Sequence, residues 1–319
     1  SPAADLRDAR RLARLVRAAS PAGALIHCHR GKDHWSAEAA RLVFRLRCPL
    51  VRSRHVVTPV GGHFANRWLF RRAARVVCVS RATRAGYESS NRLPAGRLEV
   101  ILSGSCDLER FRPADAERRA ECRRRLEIEP DARVAVLVGR MQSVKRVKGH
   151  EFFLRAAAAV AERLPRAVFL LVGDGAGRGD VERQIAELNL ADRVSLLGRR
   201  DDVPEILAAC DLGVVASLES EGFSRAALEY MGTGLAVVAT RVGALPEIVV
   251  PDETGRLVEP SGASGLAEAV TDLLGNPERC AEMGRAGRER AESHFSREKW
   301  LDAHERVYRE ALGAEARAR

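Results

Sequence analysis

Short runs of β-branched and aliphatic residues alternate along the chain with stretches whose apolar positions recur every three or four residues. The runs are ALIHCH (24–29), PLVRSRHVV (49–57), RVVCVS (75–80), RLEVILS (97–103), RVAVLVG (133–139), AVFLLVGDG (167–175), RVSLLG (193–198), DLGVVAS (211–217) and LAVVAT (235–240). Each predicts a strand, and segments such as FFLRAAAAVAERL (152–164) and VERQIAELNL (181–190) predict the helices between them. Strand–helix alternation implies parallel sheets with helices on both faces. Near-continuous apolar character within the runs agrees, because such strands have both faces covered. The expected class is α/β, with parallel-sheet domains.

The alternation falters over 107–133, a charged stretch with Pro113 and Pro130 and no strand pattern. It is read as the junction between a first domain (1–112) and a second (113–295). The final segment, 296–319, predicts a helix carrying Trp300 and Tyr308 that packs back toward the first domain.

Length and composition then narrow the picture. A chain of 319 residues suits two domains of roughly 100–200 residues each. No stretch approaches the roughly 18–20 uninterrupted apolar residues of a membrane-spanning helix. The opening SPAADLRDARRLARLV places charges where a signal peptide has its apolar region. The seven cysteines are widely spaced with no CxxC pair, which argues against a zinc site or a disulfide framework and for a reducing compartment. Cys78 and Cys210 lie in apolar runs and read as inert buried thiols. A cytoplasmic location is expected. The chain opens on Ser1 without an initiator methionine, which suggests a shortened chain.

The net charge of +10 is uneven: residues 1–113 hold 22 Lys+Arg against 8 Asp+Glu. That excess directs the first half toward an anionic partner such as a membrane surface or a phosphorylated substrate. A solvated basic surface is the alternative. Nucleic acid is not expected, since neither a recognition-helix motif nor aromatic stacking platforms are evident.

Candidate chemistry gathers past the strand ends, where open parallel sheets bind ligands. After RVAVLVG come Gly139 and Arg140, then Lys145, Arg146, Lys148 and Gly149, leading into EFFLRAAAAV. Fixed cations beside a helix N-terminus suit a diphosphate. Gly173, Asp174 and Gly175 form a tight turn after AVFLLV, where glycines let a ligand approach the backbone. Ser217 ends DLGVVAS, LESEGF follows, and SRAALEYMGTG reads as a helix with Ser224 at its N-cap. Glu229 would then lie in the second turn and Glu221 in the preceding loop, so both can face one ligand. Carboxylates accept sugar hydroxyls while N–H groups and cations hold phosphates, a division that suits a sugar nucleotide.

EGFSRAALEYMGTGLAVVATRVGALPEIV resembles the E-x7-E region of the retaining glycosyltransferases of GT-B fold, family 4. The flanking VGR…KGH (138–150), LVGDG (171–175), RVSLLGRRDDVPEILAACDLGVVAS (193–217) and PDETGRLVEP (251–260) fit in order. The likeness runs from about residue 24 to 312. It implies two Rossmann-like domains facing a cleft and retaining transfer of a sugar from a UDP- or GDP-linked donor. It implies no cofactor and no obligatory metal. By this resemblance Arg140 and Lys148 hold the donor phosphates, Glu229 accepts the ribose hydroxyls and Glu221 those of the transferred sugar. Gly222, Phe223 and Ser224 offer backbone to sugar and phosphate, and Arg199 lies near the base. In the first half RGKDHW (30–35) and SRHVV (53–57) resemble cleft loops, with His55 touching the donor sugar and Arg30 and Lys32 candidates for an anionic acceptor. His27 and His29 are read as structural.

Three features depart from the family pattern. The usual opening strand and glycine-rich loop do not precede DLRDARRLARLV, so the first domain is expected to be incomplete, with a second copy or a partner covering it. SVKRVKG (143–149) lengthens the usual Arg-to-Lys spacing, which leaves Lys145 as an alternative phosphate ligand to Lys148. LSGSCD (102–107) stands where the family has an Asn-Gly turn. The resulting expectation is a glycosyltransferase acting on a glycan or lipid-linked acceptor in cell-surface polysaccharide or lipopolysaccharide synthesis, peripheral on the inner face of the membrane. The alternative is a nucleotide-sugar-binding subunit or scaffold without transfer. An epimerase or phosphorylase of the same fold is a further reading, but no pyridoxal-phosphate lysine site is recognised.

Overall fold

The computed structural model describes residues 2–19, 23–91, 95–102, 106–142, 148–219, 221–260 and 262–317. In chain order the elements begin with α1 (Pro2–Ala19), β1 (Ile26–Cys28), α2 (Gly31–Val43), β2 (Leu50–Arg54), α3 (Phe64–Arg71), β3 (Arg75–Cys78), α4 (Arg81–Asn91) and β4 (Leu98–Val100). They continue with α5 (Ala116–Arg125), β5 (Arg133–Val138), α6 (His150–Arg163), β6 (Ala167–Val172), α7 (Arg178–Glu187), β7 (Val194–Gly198), α8 (Val203–Ala209) and β8 (Leu212–Val215). The last are α9 (Arg225–Gly232), β9 (Ala236–Thr240), α10 (Leu245–Ile248), β10 (Gly255–Val258), α11 (Ala263–Gly275), α12 (Pro277–His294) and α13 (Arg297–Arg317).

The chain divides into two compact units, Ser1–Ser103 with Glu298–Arg319, and Gly104–Arg297. The first holds a parallel sheet in the order β1-β2-β3-β4. Along β2 the side chains alternate faces, as a two-residue period requires. Leu50 joins Cys28, Ala37, Val76 and Tyr87 in one core, while Val51 and Val77 pack with Val307 and Ala311 of α13 on the other face. The apolar stripe of α13 thus covers a sheet face that would otherwise meet water.

The second unit is a six-stranded parallel sheet in the order β10-β9-β8-β5-β6-β7. Its core runs from Ala135 and Leu137 of β5 through Phe153 and Leu154 of α6 to Leu266, Val270 and Leu273 of α11. All nine periodic runs form strands within their predicted limits, RLEVILS over Leu98–Val100 alone. β10 was not among them; a four-residue edge strand starting on glycine carries too little pattern to register.

The stretch 107–133 belongs to the second unit. Asp115 caps α5 by accepting from the Arg118 N–H at 2.8 Å. Arg119 and Arg123 on that helix then reach Asp211, at 2.6 and 3.0 Å, and the same carboxylate accepts from the Val134 N–H at 2.8 Å. One aspartate therefore ties a charged helix to the amino ends of β5 and β8. Arg288 of α12 donates to the Leu108 and Phe111 carbonyls at 3.1 and 2.7 Å. Those bonds hold the segment before Pro113 to the second unit, so the division falls ahead of the 112/113 boundary suggested by the sequence.

Candidate functional site

The carboxyl ends of β5, β6 and β8 carry the loops of interest in the second unit. Past β8 the chain turns through Ser217 to Glu221, which is 7% exposed. Its Oε2 accepts from Lys148 Nζ at 2.7 Å and from Ser217 Oγ at 2.8 Å. The main chain is fixed as well, because the Glu221 carbonyl accepts from the Ala244 N–H at 2.8 Å. Gly243, with φ +53°, packs so closely there that a β-carbon would overlap that carbonyl.

Lys148 is held from its own side. The next residue, Gly149, caps α6 in the left-handed region (φ 66°). A β-carbon on it would overlap the Ala216 carbonyl, so glycine satisfies both the dihedral and the close approach. On α6, His150 is buried and its ring is pushed down to about 4 by desolvation, a hydrogen bond with the Gly139 backbone opposing.

Ser224 caps α9 by accepting from the Ala227 N–H at 3.4 Å, and the N–H groups of Arg225 and Ala226 have no hydrogen-bond partner among the described residues. Phe223 directs its ring to Phe295, with centroids 6.1 Å apart, while Gly222 is half-buried beside it. Glu229 follows in the second turn, as the sequence implied, and is not a solvent-facing glutamate. Its side chain is 16% exposed, 3.9 Å from Arg225. Burial raises its carboxyl above the ordinary value, against the pull of Arg225 and Arg110.

Gly139, Gly173 and Gly175 form a second cluster. The Gly139 N–H donates to the Val172 carbonyl and the Gly173 N–H to that of Gly198, at 2.9 and 2.8 Å. A β-carbon on Gly173 would overlap the Gly139 carbonyl, and one on Gly175 the Met141 carbonyl. Asp174 caps this turn: Oδ1 accepts from the Gly175 N–H at 2.7 Å and its carbonyl accepts from Met141 N–H at 3.1 Å. Arg140 is exposed beside it, its Cγ 3.4 Å from where a Gly175 β-carbon would be. Arg199 is exposed past β7. Lys145 and Arg146 lie outside the described residues. A cavity of about 180 Å³ lined by Met141, His150, Arg155, Gly177 and Val181 contains none of the residues singled out from the sequence.

In the first unit His55 follows β2. Its Nε2 lies 3.1 Å from His29 Nδ1, so one of the two rings supplies the proton. Burial depresses both rings below the ordinary histidine range, and the pair lowers His55 further. His27 is fixed by the Tyr308 hydroxyl at 2.7 Å and Ser53 Oγ at 2.9 Å. Arg30 stands at the N-cap of α2, where its N–H donates to Asp33 Oδ2 at 3.1 Å. Lys32 is exposed on the first turn.

The sequence reading missed the part played by Ser217 and Gly243. Ser217 was visible as the residue ending a strand, and Gly243 as the glycine of RVGALPE, but neither position announces which carboxylate it serves.

Two family models match the chain, glycosyltransferase family 4 over residues 1–105 and glycosyl transferases group 1 over residues 132–276. The GDP-mannose-dependent alpha-(1-6)-phosphatidylinositol monomannoside mannosyltransferase of Mycolicibacterium smegmatis is 31% identical over 86% of this chain and 74% of its own. The chain belongs to glycosyltransferase family 4. Among other family relatives, the N-acetyl-alpha-D-glucosaminyl L-malate synthase of Bacillus anthracis is 32% identical over 58% of this chain. The chain spans about half the length of that relative, 47% of it. The structure of Anabaena HepE in complex with UDP-glucose superimposes with a TM-score of 0.78 at 25% identity, covering 91% of this chain and 78% of HepE. Sucrose-phosphate synthase from Thermosynechococcus elongatus gives 0.78 at 28%, over 91% and 74%. The two parallel-sheet α/β domains are accordingly those of the GT-B class. No described helix is long and apolar enough to cross a membrane.

Proposed function

We propose that this family 4 protein transfers a sugar, with retention of anomeric configuration, from a UDP- or GDP-linked donor to a glycan or lipid-linked acceptor. The observation that carries the reading is the clamped carboxylate of Glu221, held by Lys148 and Ser217 immediately before the capped helix that bears Glu229. Support also comes from relatives, since HepE is seen with UDP-glucose and the M. smegmatis relative is named for GDP-mannose.

In this reading Glu229 accepts the ribose hydroxyls and Glu221 those of the transferred sugar. Gly222 and the N–H groups ahead of α9 face the sugar and phosphates. Arg140 and Lys148 offset the charge that builds on the leaving diphosphate, electrostatic stabilisation of the oxyanion-hole kind. Gly139, Gly173 and Gly175 let the ligand approach the backbone, and Arg199 borders the base. The leaving phosphate takes the acceptor's proton, so neither a separate protein base nor a metal is needed. His55 meets the donor sugar, and Arg30 and Lys32 meet an anionic acceptor. The basic first half favours an anionic membrane surface, which suits surface-glycan synthesis at the inner face of the membrane.

Calorimetric titration with UDP, GDP and ADP, comparing the native chain with Glu229→Ala, tests the donor half. Selective binding of UDP or GDP that the variant loses supports the reading; equal binding by the variant removes the role of Glu229. Proton NMR of the product anomer then decides retention, and inversion would overturn the mechanism.

A further inference from the structure

The first unit contains a second polar centre, unrelated to the carboxylates above. Leu50, Arg52 and Arg54 share one face of β2, in a sheet position whose neighbours Cys28, Val76 and Cys78 are apolar or inert. Arg52 is 6% exposed and Arg54 8%; His34 and Tyr87, each at 0%, lie near enough for the Arg52 charge to act on both. Such positions on a buried sheet face normally hold valine or isoleucine.

What distinguishes the cluster is its hydrogen bonding. Nε and Nη1 of Arg52, Nε of Arg54, both ring nitrogens of His34 and the Tyr87 hydroxyl are buried without a hydrogen-bond partner among the described residues. Arg54 Nη2 donates to the Thr58 carbonyl. Among the described residues neither arginine has a carboxylate in hydrogen-bond contact. Asp33 takes the Arg30 N–H, and Glu38, itself buried, is held by Arg41 and Arg72. Two arginines on one face of a buried strand with unmet donors are an arrangement proteins avoid unless an anion completes it. Burial and the mutual repulsion of the pair depress Arg52, and burial depresses Arg54, as expected of cations short of a counter-charge.

We propose that Arg52 and Arg54, with Tyr87 and His34, form a buried oxyanion site in the first unit that takes a phosphate group. Planar guanidinium forks match tetrahedral phosphate oxygens, and Tyr87 adds a neutral donor. One His34 nitrogen supplies a further N–H. The other accepts, so it meets a protonated phosphate oxygen or stays outside the contact. The group could be inorganic phosphate or the head of a phosphate monoester.

Trp35, Trp68 and Trp300 are the only tryptophans in the chain, and all three fall in the first unit. Thermal unfolding of the full chain followed by tryptophan fluorescence therefore reports this unit. In phosphate-free buffer, added inorganic phosphate should raise the midpoint saturably, while chloride at matched ionic strength should not. Arg52→Gln and Arg54→Gln should each weaken the apparent affinity roughly tenfold to a hundredfold, and Glu229→Ala should leave the response unchanged. Methyl phosphate as a second probe separates the sources. A response equal to that of phosphate marks a site open to phosphate esters, and a response to phosphate alone marks one closed around the free ion. Absence of a saturable response in the native chain, or its persistence in both glutamine variants, would overturn the proposal. Should those variants fail to fold, Arg52→Lys keeps the charge while removing Nε and should still lose affinity.

Discussion

Lys148 donates to the same oxygen of Glu221 that accepts from Ser217, so Oε2 is saturated and Oε1 has no hydrogen-bond partner among the described residues. The lysine therefore orients the carboxylate as well as supplying positive charge. Replacing Glu221 by alanine should lower turnover about 10²- to 10³-fold, the usual cost of removing one group that acts mainly in the transition state. Free nucleotide affinity should change little. On the proposed donor-phosphate role of Lys148, Lys148→Ala should reduce both, because it also releases Glu221. Parallel measurement of kcat and of UDP or GDP affinity for the two variants checks this, and identical profiles would contradict it.

Glu229 gives a pH signature. Burial raises its carboxyl above the ordinary glutamate value, so it gains its proton earlier on acidification than an exposed glutamate does. A protonated carboxyl is a poorer acceptor for ribose hydroxyls, and nucleotide affinity should therefore begin to fall at a pH above the ordinary glutamate range. The folded chain itself takes up that proton before the unfolded one, so this residue favours folding slightly as the pH falls through its raised pKa. Glu229→Gln should bind weakly at every pH and lack the step. A native affinity that is flat down to the ordinary glutamate range would refute it.

The sheet framework and the Glu221–Ser224–Glu229 constellation were legible because each rests on local pattern: apolar runs for strands, a serine cap and a helical period for the rest. The family 4 resemblance extended the same segments to a donor site. What stayed hidden depends on contacts far apart in sequence. The charged helix α5 looks like a linker until Asp211, nearly a hundred residues on, neutralises Arg119 and Arg123. Nothing in RVGALPE shows that Gly243 lies against the Glu221 carbonyl. Arg52 and Arg54 read as strand residues of ordinary polarity, and only the packing of α2 and α4 reveals that their donors are unmet.

Gly243 should be intolerant of a side chain. Its positive φ disfavours alanine, and a β-carbon there would overlap the Glu221 carbonyl. Gly243→Ala should cost about 1–3 kcal/mol of stability and displace Glu221, lowering turnover as Glu221→Ala does. Gly265, where a β-carbon meets nothing, is the control; Gly265→Ala should leave activity unchanged and stability equal or slightly higher. Activity and chemical denaturation measured on both variants decide the matter, and a Gly243→Ala protein with native turnover would exclude the coupling.

Acid should destabilise the first unit, with His27 as a main cause. Its ring is pushed down to about 3, chiefly by burial and then by His29, His304 and His55. In the unfolded chain a histidine titrates near 6.5. The folded pKa is depressed, so the unfolded state binds the proton first and stability falls as pH drops below the unfolded value. The loss continues down to the folded pKa, with a limiting slope of about 1.4 kcal/mol per pH unit for each such group. Above pH 6.5 His27 should contribute no pH dependence. His27→Gln cannot charge, and its hydrogen-bonding amide can still meet Tyr308 or Ser53, which flank the native ring. Urea unfolding read by tryptophan fluorescence at pH 7.5 and pH 5 should show the native midpoint dropping more than that of His27→Gln. Equal drops would place the acid sensitivity elsewhere, in His34, the His29–His55 pair or His304, whose rings burial also depresses.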